Sequence, residues 1–176
     1  CFHGGDSADK AMERVLDTAA LLHWPVDELN GGVCAPSQRQ ELERLSSSRA
    51  MLVSSIDIQW QEVAPAWLNQ ARQAASLTGD LPRLSDVDLD VLALALGLGL
   101  ALVTDDYRLQ NTVRHAGGSI LSVVNAPSKA VWIWELQCTG CRDAAPVPEG
   151  VHRSKNADAG SCDRCGSPMK VKRRRA

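Results

Sequence analysis

Phenylalanine and tyrosine are almost missing from this chain of 176 residues: one of each occurs, beside five tryptophans. Its core must therefore be aliphatic, filled by Leu, Val, Ile and Ala, and the hydrophobic content of 44% is enough to build one. A membrane-spanning run is missing too. The stretch VLALALGLGLALV (91–103) has 13 residues and two glycines, short of the roughly 20 that a bilayer span needs. No basic segment followed by an apolar core marks a signal peptide, and a cytoplasmic location is expected. Strong net charge is also lacking, at −2 overall with a pI near 6.1. That balance hides an asymmetry. Residues 1–125 hold 16 acidic and 9 basic side chains, whereas residues 126–176 hold 5 and 10. An acidic front and a basic back point to two pieces with different partners. MERVLDTAAL, from Met12, reads as a natural start. Residues 1–11 are therefore expected to be a disordered upstream extension.

Six cysteines are present, and four of them form two C-x-x-C pairs, CTGC (138–141) and CDRC (162–165), with 20 residues between. In a secreted chain such cysteines would suggest disulfides; without a signal peptide they read as metal ligands. Each pair turns the chain so that two thiolates converge, and four thiolates make a closed tetrahedral Zn²⁺ site with no position left for substrate. Cys138, Cys141, Cys162 and Cys165 are thus expected to hold a structural zinc, without which so small a fragment would not stay folded. Cys34 reads as a small buried hydrophobe.

Along the chain, ERVLD (13–17) reads as a strand, TAALLHW (18–24) as a short helix ended by Pro25, and GGVCAP (31–36) as a second strand. Ser37, with Gln40 three residues on, has the pattern of a capping box opening the helix SQRQELERL. MLVSSIDIQW (51–60) is β-branched and reads as a strand. PAWLNQARQAASLTG (65–79) has Pro at the start and Gly at the end of a helix. Ser85 and Asp88 form a second box ahead of an apolar helix that Gly97 or Gly99 can close. LALV (100–103), YRLQNTVRHAGG (107–118) and SILSVV (119–124) continue as strand, helix and strand. The alternation predicts an α/β layered fold with a mainly parallel sheet, which binds ligands at the carboxyl ends of its strands. The first domain is expected over 12–125, a linker over 126–129, a zinc ribbon over 130–169 and a basic tail over 170–176. In the ribbon, AVWIWELQ reads as a strand with Trp132 and Trp134 on one face.

Acids stand at four element ends: Asp17 after the first strand, Glu41 near the start of the SQRQELERL helix, Asp88 in the first turn of its helix, and the pair Asp105–Asp106 after LALV. With parallel strands all four places can meet at one edge. Such a cluster repels itself in a partly desolvated site, and a hard divalent cation, Mg²⁺ or Mn²⁺, relieves that. Each acid also has a simpler reading. Asp17 can N-cap its helix, Asp88 can be only the acid of its capping box, and Glu41 and Glu43 can be solvated helix acids. Asp88 precedes Leu92 by four and so faces the apolar stripe, while Asp86 and Asp90 read as a solvated face.

VLDTAALL, APSQRQELERL, LSDVDLDVLALAL and LVTDDYRLQN, in this order, resemble the four acidic motifs of PIN-domain ribonucleases. TDDYRLQN, followed by a tryptophan-containing strand and the CxxC…CxxC ribbon, is similar to a narrower group, the Nob-type endoribonucleases, and most to their short archaeal form. The resemblance covers nearly the whole chain and implies a PIN-like three-layer fold. It implies Asp17, Glu41, Asp88 and Asp106 as catalytic metal ligands, with Glu43 the competing choice in the second motif. The family's T-x-D register selects Asp106; Asp105 is then expected to act behind it, through a water, or as a cap for the YRLQN helix. Thr18 and Thr104 are expected to orient waters or carboxylates. The polar SQRQ departs from the aliphatic residues usual at that place in the family.

The implied activity is metal-dependent cleavage of precursor small-subunit (16S-type) ribosomal RNA at its mature 3′ end, leaving a 3′-hydroxyl and a 5′-phosphate. The pre-ribosomal small subunit is the implied partner. No histidine falls in the four motifs, so a histidine general base is not suggested. RNA would be held by Lys170, Lys172, Arg173, Arg174 and Arg175 on phosphates and by Trp132 or Trp134 on unpaired bases. Against the latter, both tryptophans can serve to seat the ribbon on the first domain. Three other readings compete: a toxin-type PIN ribonuclease on tRNA or mRNA, a non-catalytic RNA-binding scaffold, and a D-x-D-x-T phosphatase. LDTAAL lacks the second acid that the phosphatase needs.

Overall fold

The computed structural model describes residues 13–123, 131–148 and 159–176. The expected extension (1–11), the linker (126–129) and part of the ribbon lie outside the described residues, as does the last residue of SILSVV.

Five short parallel strands form the first sheet: β1 (Arg14–Leu16), β2 (Gly32–Cys34), β3 (Ile58–Trp60), β4 (Ala101–Val103) and β5 (Ile120–Leu121), in the order β3-β2-β1-β4-β5. Successive strand residues face opposite sides, so β1, β2 and β4 each feed two cores. Val15, Val33 and Leu102 join one, with α5 (Pro65–Thr78), α6 (Asp86–Leu98) and α7 (Tyr107–His115). Leu16, Cys34 and Val103 join the other, with α1 (Thr18–His23), α2 (Val26–Leu29), α3 (Ser37–Leu45) and α4 (Ser47–Ser54). This is the expected α/β fold, helices on both faces of a parallel sheet. Both cores are aliphatic, as the scarcity of aromatics requires; the tryptophans that reach them are only partly buried.

α6 is apolar nearly all round, with Leu89, Val91, Leu92, Ala93, Leu94 and Ala95 buried. Such a helix belongs inside, and each large aliphatic side chain contributes roughly 1.5–3 kcal/mol on burial. The Ser85–Asp88 capping box forms as the sequence predicts. Gly99, at φ 66°, closes the helix. Gly97 stays inside it, because a Cβ there would sit 2.3 Å from the Trp67 ring.

Three expectations are corrected. Residues 51–54 belong to α4, not to a strand. The Ser46 hydroxyl accepts the Arg49 amide and starts a helix that buries Val53, so capping outweighs β-branching and only Ile58–Trp60 is extended. Nor does Ser37 cap α3. Pro36 holds the N-cap, and the Ser37 hydroxyl instead donates to Asp90 Oδ2 at 2.7 Å. That bond also draws Asp90 away from the solvated face it was expected to share with Asp86.

The second unit is an antiparallel sheet in the order β7-β6-β8, made of β6 (Trp132–Cys138), β7 (Ala144–Pro146) and β8 (Met169–Arg175). The basic run expected to be a tail is β8 itself, an edge strand paired with β6 along its whole length. Trp132 and Trp134 do share a face, with Arg173 and Arg175 opposite them on β8. Asn111 on α7 clasps this unit to the first. Its Oδ1 accepts the Trp132 amide at 2.6 Å, and its Nδ2 donates to the Trp132 carbonyl at 2.5 Å and to Asp80 Oδ2 at 2.7 Å. Gly79 lets the chains close up: at φ 75°, a Cβ would meet the Trp134 carbonyl oxygen at 2.3 Å.

Candidate active site

In this sheet the chain runs outward from β1 through β2 to β3, then returns to the other side of β1 as β4. The switch point lies between β1 and β4, and a ligand crevice opens beyond their carboxyl ends. Asp17 follows β1 and Thr104 follows β4. The Asp17 amide donates to the Val103 carbonyl at 3.0 Å, so the two strands stay paired to their ends.

Asp17 is only 7% exposed. Its Oδ1 accepts the Thr18 amide at 2.7 Å and its Oδ2 accepts the Thr104 hydroxyl at 2.7 Å. The Thr104 oxygen in turn accepts the Asp106 amide at 3.0 Å. One threonine therefore fixes both the first and the last expected acid. Asp106 caps α7, its Oδ1 accepting the Arg108 amide at 2.8 Å, and its Oδ2 lies 3.6 Å from the Arg108 guanidinium.

The two members of the acidic pair have different tasks. Asp105 Oδ1 accepts the Ser122 hydroxyl at 2.5 Å and the Val123 amide at 2.9 Å, tying the end of β4 to the residues after β5. The cap expected of Asp105 is made by Asp106 instead, because the helix begins one residue later.

Glu41 accepts a hydrogen bond at 2.5 Å from the hydroxyl of Thr18, the residue after Asp17. Glu43 is exposed and lines a separate groove with Arg39 and Trp60. Asp88 keeps its capping role, Oδ2 accepting the Ser85 amide at 2.8 Å, without leaving the cluster.

Burial pushes the Asp17 carboxyl up from 3.8 to about 6, against the hydrogen bonds from Thr104 and Thr18, and the charges of Asp88 and Asp106 add to the rise. Burial also raises Asp88, and there Asp106 and Glu41 add to it. Asp17, Asp88 and Asp106 are thus near enough to repel one another, Glu41 joins them through Asp88, and ionised Asp17 is held at a cost. A divalent cation reverses that cost, and carboxylate oxygen is the donor that Mg²⁺ or Mn²⁺ takes. On this donor set the residues fit such an ion.

The polar SQRQ segment has a structural reason. Gln38 is fully buried. Its Oε1 accepts the Ala35 amide at 2.8 Å and its Nε2 donates to the Leu16 carbonyl at 2.9 Å, stitching the ends of β1 and β2 beside Asp17 and Thr18. Gln110 does the same for β4, donating to the Thr104 carbonyl at 2.9 Å. Sequence reasoning missed both glutamines. The signal was a polar residue at a buried helical position, which becomes visible only once the neighbouring strand ends are placed.

In the ribbon the four expected cysteines converge. Their sulfurs lie within 4.8 Å of one another, with Cys138–Cys165 at 3.3 Å and Cys141–Cys162 at 3.7 Å. These spacings are far longer than a disulfide. A tetrahedral ion with Zn–S of about 2.3 Å has sulfur–sulfur edges of roughly 3.8 Å, so the cluster fits zinc. The Ser167 hydroxyl and amide hydrogen-bond to Cys165 and lower its thiol from 9.0 to about 6, whereas Cys141 in the same cluster is raised to about 12, so without a metal the sulfurs hold their protons unequally. Among the described residues only these cysteines gather so closely. The four carboxylates do not gather to that distance. Cys34 takes no part: it is buried, its thiol facing the Leu16 carbonyl at 3.8 Å and pushed up by burial to about 12.

The comparisons with known proteins agree with this architecture. The family described as PIN domain of ribonuclease matches residues 15–98, a span that ends before Thr104 and Asp106. Endoribonuclease Nob1 of Pyrococcus abyssi is 34% identical over 167 residues, 93% of this chain and 96% of the relative. Endoribonuclease Nob1 of Methanothermobacter thermautotrophicus is 28% identical over 170 residues, 93% and 95%. Ribonuclease VapC1 of Thermoplasma acidophilum is 31% identical over 165 residues, 90% and 77%. Alignments of this length run through the PIN region and into the ribbon.

Proposed function

This chain belongs to the Nob1-type PIN-domain endoribonucleases, and on that premise we propose that it cuts precursor small-subunit ribosomal RNA at the mature 3′ end. The products carry a 3′-hydroxyl and a 5′-phosphate, and the cut is made in the cytoplasm on the pre-ribosomal small subunit. The observation that carries the reading is the lock between Asp17 and Asp106 through Thr104 at the switch point of the sheet.

Asp17, Glu41, Asp88 and Asp106 hold Mg²⁺ or Mn²⁺, which when bound supplies Lewis acidity to the phosphodiester and lowers the pKa of water. The Thr104 hydroxyl holds the Asp17 carboxylate and the Thr18 hydroxyl holds that of Glu41. Gln38 and Gln110 hold the strand ends still, so the carboxylates need little reorganisation as charge develops. Asp105 braces the last strand from behind. Zinc on Cys138, Cys141, Cys162 and Cys165 keeps the ribbon folded. Lys170, Lys172, Arg173, Arg174 and Arg175 lie on one edge strand, where they track RNA phosphates. Glu135 partly neutralises Arg174 at 2.9 Å, so the other four carry most of that role.

The test is incubation with RNA spanning the mature 3′ end, with and without Mn²⁺. Manganese-dependent cutting at one site is expected. Scattered cutting, or preference for tRNA or mRNA, would favour a toxin-type ribonuclease; binding without cutting would favour a scaffold.

A further inference from the structure

The seam between the two units holds a groove of about 310 Å³, walled by Tyr107, Arg108, Trp132, Trp134 and Arg173. That volume is near the lower end of small-ligand sites, about 300–1,000 Å³, and suits a single base better than a paired helix. Three features give the groove a nucleic-acid character. Tyr107, the only tyrosine of the chain, directly follows Asp106, lines the groove and is 58% exposed, so its ring is accessible to a ligand there. The Arg173 guanidinium lies over the Trp132 ring, 4.7 Å from its centroid, so one wall already holds a cation–π pair. Arg108 lines the groove and at the same time reaches to 3.6 Å from the Asp106 carboxylate, so groove and acid site share a residue. Aromatic faces and guanidinium planes beside a basic strand are what an unpaired base and its phosphates use.

We propose that this groove holds one unpaired base of the RNA strand, immediately beside the phosphate cut at the acids, with Tyr107 as its stacking face. The inference rests on the nuclease reading above and deepens it. It makes the docking of the ribbon through Asn111 part of substrate recognition, because two groove walls come from β6 and one from β8. It also requires the RNA to be single-stranded where it enters the site.

The test uses the zinc-loaded full chain and a short single-stranded RNA spanning the cut, with an abasic ribose placed in turn at each nearby position. Affinity is read by fluorescence anisotropy without Mn²⁺, and cutting is read with Mn²⁺. One abasic position is expected to weaken wild-type binding about tenfold. Tyr107→Ala is expected to bind intact RNA about as weakly and to lose sensitivity to that position, while Tyr107→Phe behaves as wild type. Tyr107→Ala and abasic losses that simply multiply, an absence of any sensitive position, or no RNA binding would each overturn the proposal. So would binding of free AMP or UMP as tight as that of the RNA, which would give the groove to a free nucleotide. Coupling in affinity without cutting would keep the groove and sink the nuclease; cutting without coupling would do the reverse.

Discussion

Replacing Asp17 by Asn should stabilise the metal-free protein while destroying its site. Asp17 is 7% exposed, and its carboxyl is raised from 3.8 to about 6. A folded pKa above the unfolded one means that the native state holds the proton more tightly. Stability is then complete below 3.8, falls as pH rises to about 6, and is flat above that. Two units correspond to about 3 kcal/mol lost at neutral pH. Asn keeps the acceptor for the Thr18 amide but presents an NH₂ to the Thr104 hydroxyl, which forfeits about 1 kcal/mol. The balance is roughly 2 kcal/mol in favour of Asp17→Asn, a rise in Tm of about 5 °C for a chain of this size. The assay is a thermal melt of zinc-loaded protein at pH 7.5 without Mg²⁺ or Mn²⁺, repeated near pH 4, where the advantage should vanish. Loss of zinc at the lower pH is common to both proteins and cancels in the difference. Added Mn²⁺ should raise the wild-type Tm and leave Asp17→Asn nearly unmoved. A variant less stable than wild type by the same amount at both pH values would refute the reasoning.

The ribbon should carry one zinc per chain by metal analysis; after chelation Cys138, Cys141, Cys162 and Cys165 should alkylate quickly while buried Cys34 stays slow. Asn111→Ala strands the Trp132 amide and carbonyl. It should cost roughly 2–3 kcal/mol and speed amide exchange at Trp132 while exchange in α6 stays slow. Replacing Lys170, Lys172 and Arg175 by Ala should flatten the salt dependence of RNA affinity by about 0.7 for each phosphate no longer neutralised; an unchanged slope would remove β8 from the RNA path.

Elements with strong local signals were legible from the sequence: the box at Ser85, Pro65 and Gly79 around α5, and the two C-x-x-C turns. Parallel pairing of β1 and β4 explains why the ends carrying Asp17 and Thr104 lie side by side. Tertiary contacts decided the rest. Ser37 does not cap because α3 begins one residue earlier, with Pro36 at the N-cap, and its hydroxyl donates to Asp90 on another helix. Residues 51–54 turn helical because Ser46 caps them. The basic run became a strand because β6 supplies a partner along its whole length. Within TDDYRLQN, the resemblance to the family's T-x-D register pointed to Asp106, but nothing local shows that Asn111 clasps a strand 21 residues on. The roles of Asp105 and Asp106 separate only when Ser122 and Val123 are seen to take the first of them.

Single-turnover cleavage of the precursor RNA in Mn²⁺ by wild type, Asp17→Asn and Asp106→Asn tests the central claim most directly. Wild type should cut at one position, and both variants should fall to the rate seen without Mn²⁺ while binding the RNA as tightly as before. Full activity in both variants would show that the Asp17–Thr104–Asp106 lock is not where the phosphodiester is cut.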